Sequence, residues 1–506
     1  MMDNRPLSAP TPPVGALVEL IPYFSVLILF LVAVYFPTVI FNYASGDDYV
    51  ALKAGQAGSA ELFKHCILSG RPVYAVFNEV YRYVDTFLEL RLIRAMGIMG
   101  LSGICCMCLW YLRYCGVDPV ESLLMACSIG LIPGFQLIPA WATTSPFSLA
   151  YMASALAAII TAESVLKEQH STASTVVFVS LGTLFMIFSF CFYQPAAMFF
   201  WVFALIPFLA DRITLKTLPR FIGAFGLVFA ISSLCGFLVV KVLPGLLYSD
   251  LTSMPRTQLI DNVGEKYDWF LNEPLFNAFN LFEVREPLIS TVQLVLFFAV
   301  VGIVLKRRSS IPWKVIILLI AACAILLSYV PNLVVRENWA SYRSIVSMTS
   351  MVVLFLSFSI KWIFEFLSLN NRYILRYGPR LFLAVILGIG LYKASYNVNR
   401  VIIYTQMTEY AFLKQNLNRV DLSSVSSIEV KRSRWDDSVA PYVRYDEFGL
   451  PSSSAAWSLE PMVFQALRDS GRNPADLPVT ILKPDDESQP APDALFIDMG
   501  GLRNLK

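Results

Sequence analysis

Two aspartates stand side by side where the first long apolar run of the chain ends, in Asn42-Tyr43-Ala44-Ser45-Gly46-Asp47-Asp48-Tyr49. Charge beside a bilayer is costly unless something uses or solvates it. One reading gives the pair chemistry: a carboxylate at the water–lipid boundary that takes a proton from a nucleophile, alone or with a metal ion. The plainer reading is that the pair stops a helix. Downstream, Ser69-Gly70-Arg71-Pro72 sets an arginine in the same loop. A third segment, Arg336-Glu337-Asn338-Trp339-Ala340-Ser341-Tyr342-Arg343, carries two arginines that either serve a site or anchor the chain at the membrane edge, as Trp339 and Tyr342 would. Tyr193-Gln194 interrupts an apolar run and either meets a hydroxylated ligand or simply breaks a helix. Arg91 and Arg94 read as snorkelling anchors, and Lys64 and His65 as a solvated face. Ser45 and Gly46 are assigned loop geometry only, so small residues should be tolerated there.

Those residues need a scaffold, and composition says which kind. Hydrophobic residues fill 56% of the 506 positions and charged residues 15%, with a mean hydropathy of +0.60. Soluble globular domains carry about 25% charged residues; this deficit requires surface that faces lipid. A net charge of +2 points to no nucleic acid or other polyanionic partner. Two histidines, His65 and His170, exclude a His-rich metal site, and most of the nine cysteines sit in apolar runs as small hydrophobes.

A helix crossing a bilayer needs about 20 apolar residues. About eleven runs qualify, at 18–41, 95–112, 120–138, 147–166, 175–191, 196–209, 221–243, 288–305, 315–330, 345–366 and 381–396. The fifth and sixth are short and separated only by Tyr193-Gln194-Pro195. Residues 1–16 are a polar, Pro-rich tail, and the run after it is too long for a signal-peptide core. With that tail cytoplasmic, the inside loops hold Arg113, Lys167, Arg212, Lys216, Arg220, Lys306–Arg308, Lys314, Arg372, Arg376 and Arg380, as the positive-inside rule asks. The outside loops are then 42–90, 244–287 and 331–343, and an odd number of spans puts residues 398–506 outside. That tail carries strand signals at 427–430, 479–482 and 495–498 and a helix over 461–470, with Pro461 at its start and Gly471 past its end. It reads as a small α/β domain. Between residues 73 and 89 apolar residues recur at helical spacing, which predicts one helix lying flat on the membrane.

The segments Asn42–Tyr49 and Ser69–Pro72 resemble the serotype-converting O-antigen glucosyltransferases of phage and enteric bacteria, members of the GT-C class that use lipid-linked sugars. The match covers roughly residues 20–90, with Tyr193-Gln194 and the span number as architectural support; Tyr445–Trp457 is similar to outside domains of bacterial membrane glycosyltransferases. The resemblance implies a GT-C-like helical module over 17–397 in a bacterial inner membrane. It implies inverting transfer of a single sugar, glucose by the family's name, from a polyprenyl-phosphate donor to a periplasmic glycan such as O-antigen. Asp47 would then be the general base, with Asp48 orienting the acceptor, assisting a divalent cation such as Mg²⁺ or Mn²⁺, or holding the loop. Arg71, Arg336 and Arg343 would meet the lipid phosphate, since a guanidinium fork suits it. Tyr49, Tyr193, Gln194, Glu337 and Tyr342 would contact substrate. A lipid-linked-glycan transporter and a glycan polymerase or ligase share the topology. A transporter generally shows internal repeats and charged or broken helices at mid-membrane, and here the polar residues lie in loops instead.

Overall fold

The computed structural model describes residues 18–58, 60–166, 171–248, 258–285, 289–306, 310–367, 372–486 and 489–505. The tail 1–16, Lys167, His170, Arg307, Arg308 and parts of loop 244–287 lie outside the described residues. Every one of the eleven apolar runs is helical, but they differ in length. Among the described residues six helices are long and apolar enough to cross a membrane: Phe87–Tyr114, Ala142–Leu166, Thr172–Phe192, Leu218–Leu247, Val346–Leu367 and Tyr373–Asn418. A seventh run is broken, with Pro119–Gly130 and Pro133–Ala140 meeting at 69°. Ile132 is extended there, at ψ 148°, because the residue before a proline is pushed out of the α region. Ile21–Tyr35, Gln194–Leu209, Thr291–Leu305 and Ile311–Leu327 are shorter apolar helices. With the charge deficit, these helices make the chain a multi-pass membrane protein.

Helix ends gather at two poles. At one pole Arg212 donates to the Tyr114 carbonyl (3.5 Å), and Lys306 pairs with Asp211 (2.7 Å). Lys361 pairs there with Glu121 (3.1 Å) and Arg380 with Asp118 (2.8 Å). The other pole holds the Asp47 loop, residues 141–145, the Tyr193 break, the loop ending at Arg343 and the tail.

Three expectations about elements need correcting. The stretch 73–89 is not one helix: Pro72–Asn78 passes into a 3-10 turn, Glu79–Tyr83, and Phe87 opens the next long helix. Thr86 fixes that start, its hydroxyl accepting from Leu88 N–H while Glu89 accepts from Thr86 N–H, a reciprocal cap. Val76, Val80 and Tyr83 still face outward. Nor does the chain leave helix at Tyr396. A π-helical stretch, Asn397–Ile403, carries Arg372–Tyr396 directly into Tyr404–Asn418. Finally, the tail helix runs Ala456–Arg468, with Pro461 inside it rather than at its start; a proline there has no N–H for the helix ladder and its ring crowds the carbonyl four residues back. Gly471, at φ +74°, does follow its end.

The tail sheet has strands β1 (Ser427–Lys431), β2 (Val479–Leu482) and β3 (Ala494–Asp498). All pair in parallel in the order β2-β1-β3, with Ile428 opposite Val479 and Leu495. Ile428, Val430 and Ile497 pack with Leu459, Met462, Val463 and Ala466 of the tail helix in a core that also takes in Tyr49, Ala51 and Leu52. The helix that opens with the aspartate pair, Asp47–Ala57, is thus cemented to the tail.

Candidate active site

Asp47 and Asp48 occupy the first turn of Asp47–Ala57, entered through Gly46 at φ +32°. A carboxylate is favoured at a helix N-terminus, but the two side chains meet different fates. Asp48 is fully buried. It accepts from Thr143 N–H (2.9 Å), Ser45 N–H (3.3 Å) and Ala142 N–H (3.4 Å), and Arg94 approaches to 4.0 Å. Burial pushes its carboxyl up to about 6, against the opposing pull of Arg94 and the backbone donors. Arg94 is no snorkelling anchor. Its guanidinium is fully buried, donates to the Tyr43 carbonyl (2.8 Å) and lies 3.9 Å from the Tyr43 ring centre, because its face of the helix turns inward and a buried cation needs partners. Arg91 instead clips the first helix, donating to the Val39 carbonyl and to Asn42.

Asp47 is only half-buried and acts electrostatically on Arg343. Burial disfavours charge on Arg343, and Asp446, Glu447, Tyr193 and Asp47 offset that, holding the guanidinium ionised. Arg343 also lies 5.0 Å from the Trp141 ring centre. Arg71 sits 5.0 Å from the ring centre of Tyr193, which stacks on Phe147 at 4.1 Å. Gln194 donates through its amide to the Gly70 carbonyl. Gly70 has φ +75°, and a Cβ there would meet Val240 at 2.9 Å and Gln194 at 3.1 Å, so the turn that presents Arg71 requires glycine. Asp47, Arg71, Tyr193, Gln194 and Arg343 therefore share one pole and one neighbourhood.

The other sequence candidates lie elsewhere or are turned away. Arg336 is about 60% exposed, pairs with Asp261 at 3.1 Å and reaches Gln258 at 3.4 Å. The Glu337 carbonyl accepts from Lys266 (2.8 Å). Tyr49 is buried with its ring against Tyr410. Tyr342 is a strut: its N–H donates to Glu447 (2.6 Å) and its hydroxyl to the Val284 carbonyl (3.0 Å).

What the sequence reading missed is the tail's share in this site. Segment 440–458 crosses the pole. Tyr442 donates to Asn397 (2.5 Å), whose amide donates to Gln136 (3.1 Å). Tyr445, in a left-handed conformation at φ +51°, donates to Glu273 (2.7 Å) and accepts from Asn277 (2.7 Å). That turn aims Asp446 and Glu447 at Arg343, and Glu447 also accepts from Arg343 N–H (3.1 Å). Burial pushes the Glu447 carboxyl upward, while Arg343 pulls it back. Glu409 then takes the N–H groups of Ser452 (2.8 Å) and Ser453 (2.7 Å), and Ser452 accepts from Gly46 N–H (2.8 Å). Only the likeness of Tyr445–Trp457 to other membrane-transferase domains hinted at this segment. Among the described residues no three His, Cys, Asp or Glu side chains converge as metal ligands.

No family model and no curated protein sequence matches the chain. Among solved structures it is similar to the archaeal oligosaccharyltransferase AglB from Archaeoglobus fulgidus in complex with an inhibitory peptide and a dolichol-phosphate, at 13% identity and TM-score 0.42, over 84% of this chain. It is also similar to the Archaeoglobus fulgidus oligosaccharyltransferase tethered to an acceptor peptide, at 11% identity and TM-score 0.43, over 91% of this chain. The chain spans less than two thirds of the length of those proteins, 63% in each case.

Proposed function

We propose that the chain is an integral-membrane glycosyltransferase that moves one sugar from a polyprenyl-phosphate donor to a glycan acceptor on the outer face of a bacterial inner membrane. The observation that carries the reading is the division of labour in the aspartate pair. Asp48 is fully buried among backbone donors and Arg94, while Asp47 is half-buried beside Arg343 and the Arg71–Tyr193 pair.

Asp47 accepts the proton of an acceptor hydroxyl as that oxygen bonds to the anomeric carbon. The bond from that carbon to the phosphate oxygen breaks on the opposite side, which inverts the centre. The departing lipid phosphate keeps the electron pair, and Arg343 and Arg71 receive its charge. No acid is needed, because a phosphate monoester is a stable anion. Asp48 positions Asp47 by locking the helix start, and Glu447 positions Arg343 through its backbone and side chain. Arg336, exposed and paired with Asp261, takes no part in this scheme.

In this reading all eleven apolar helices cross the membrane. That Thr143 reaches Asp48 supports counting the bent pair 119–140, since the chain must return after Phe87–Tyr114. The same alternation brings Tyr193, Glu273, Arg343 and the tail to one side.

The test is mass analysis of surface glycans from cells with and without the gene. A single-hexose increment that depends on the gene is expected. Glycans differing by whole repeat units would favour a polymerase, and unchanged glycans would remove the transferase.

A further inference from the structure

Beside Asp47 lies a cleft that the mechanism above does not use, walled by Ser45, Gly46, Trp141, Gln406, Asp446 and Trp457. Two of its polar atoms are orphaned: Ser45 Oγ and Asp446 Oδ1 are buried and have no hydrogen-bond partner among the described residues. A buried oxygen without a partner costs about 1–3 kcal/mol, so two of them in one cleft ask for a ligand that brings hydroxyl groups. The indoles supply the rest. Trp141 and Trp457 flank Gly46 so closely that a Cβ there would lie 3.4 and 3.3 Å from their ring atoms. Trp457 keeps 54% of its surface exposed although it adjoins the cleft.

We infer that this cleft is the inner end of a saccharide subsite: a pyranose ring lies on the exposed face of Trp457 at its mouth, with hydroxyls directed toward Asp446 and Ser45. The face of a sugar ring is a patch of C–H groups, which suits the electron-rich face of an indole. Its rim is hydroxyls, which suit oxygens that lack donors. Asp446 gives its other oxygen to Arg343, so an occupant here is tied directly to the site's cation. The ring belongs to the acceptor, because the donor's lipid phosphate lies with Arg343 and Arg71; that assignment rests on the transferase reading, whereas saccharide binding itself does not.

The experiment is saturation-transfer NMR on the full chain in lipid nanodiscs, with methyl glycosides of the common hexoses and 6-deoxyhexoses as probes. Ring C–H protons of at least one probe should receive saturation. Trp457→Ala should weaken that binding about tenfold, Trp457→Phe less, and Ser45→Ala measurably, while Trp435→Ala should leave it intact. Trp435 is a control, a tryptophan 65% exposed elsewhere on the tail. Thermal unfolding of each variant identifies any that fails to fold, and Trp457→Phe then decides. In transfer assays Trp457→Ala should raise the acceptor KM and leave the donor KM unchanged; a rise in donor KM alone would place the donor's sugar there instead. No saturation of any probe, or saturation undiminished in Trp457→Ala, would overturn the subsite. Binding without any transfer would leave the subsite standing and remove the transferase.

Discussion

Asp47 and Asp48 are chemically identical, and what separates them is solvent. For Asp48 the consequence is a pH dependence of stability. Its carboxyl titrates at about 6 in the folded chain against an ordinary 3.8, so the folded state binds the proton more tightly than the unfolded one. Stability therefore falls as pH rises from about 4 to 6, by about 3 kcal/mol for a shift of that size, and is flat in this respect above and below. Asp48→Asn should remove that slope. Thermal unfolding of both proteins between pH 4 and 7 checks both statements. The arginines separate in the same way. Arg343→Lys keeps charge but loses the fork that spans a phosphate, so the donor KM should rise about tenfold or more. Arg336→Ala, which breaks only an exposed pair, should leave it within about twofold.

At the scale of elements, the turn into Asp47–Ala57 is the point where membrane module and tail interlock. Gly46 has φ +32°, its N–H donates to Ser452 and its carbonyl accepts from Ser458 (3.2 Å). Any side chain there is therefore strained. Gly46→Ala forces a Cβ between two indoles in a conformation L residues avoid, at about 1–3 kcal/mol, and should cut transfer sharply while the protein still inserts; activity per mole of membrane-embedded protein measures it. The helical character of the apolar runs and the three tail strands were legible in the sequence because each rests on local signals, apolar runs and β-branched alternation; that the aspartate pair opens a helix rather than stopping one was not. The bend at Ile132 and the start at Phe87 were equally local, written in Pro133 and Thr86, but hidden inside longer apolar patterns. Arg94, Trp141, Asp446 and Glu447 were not legible. Their roles come from contacts spanning dozens to hundreds of residues, such as Glu447 to Arg343, and an arginine in the first turns of a membrane helix looks the same whether it faces lipid or a buried carboxylate.

The whole molecule adds a constraint of parity. The Asp47 loop and the tail touch through Gly46 and Ser452, so they occupy the same side of the membrane and an even number of crossings separates them. Eleven crossings, one before the loop and ten after it, satisfy this. Reporters inserted at Gly58 and after Lys506 should therefore give the same response, both periplasmic. Opposite responses would break the topology and the site together. The two poles divide the work of the fold: one collects ion pairs such as Lys306–Asp211 and Arg380–Asp118, and the other collects the aspartates, the aromatic clefts and the tail that covers them.

The most direct test is the transfer rate of the chain reconstituted in lipid vesicles, with polyprenyl-phosphate glucose as donor and isolated lipopolysaccharide glycan as acceptor, for wild type and Asp47→Asn at matched protein levels. The variant is nearly isosteric and Asp47 is half-buried, so it should insert and bind donor normally while transferring about 10²–10⁴-fold more slowly. Transfer by Asp47→Asn at close to the wild-type rate would contradict the assignment of the base, and with it the mechanism built around that residue.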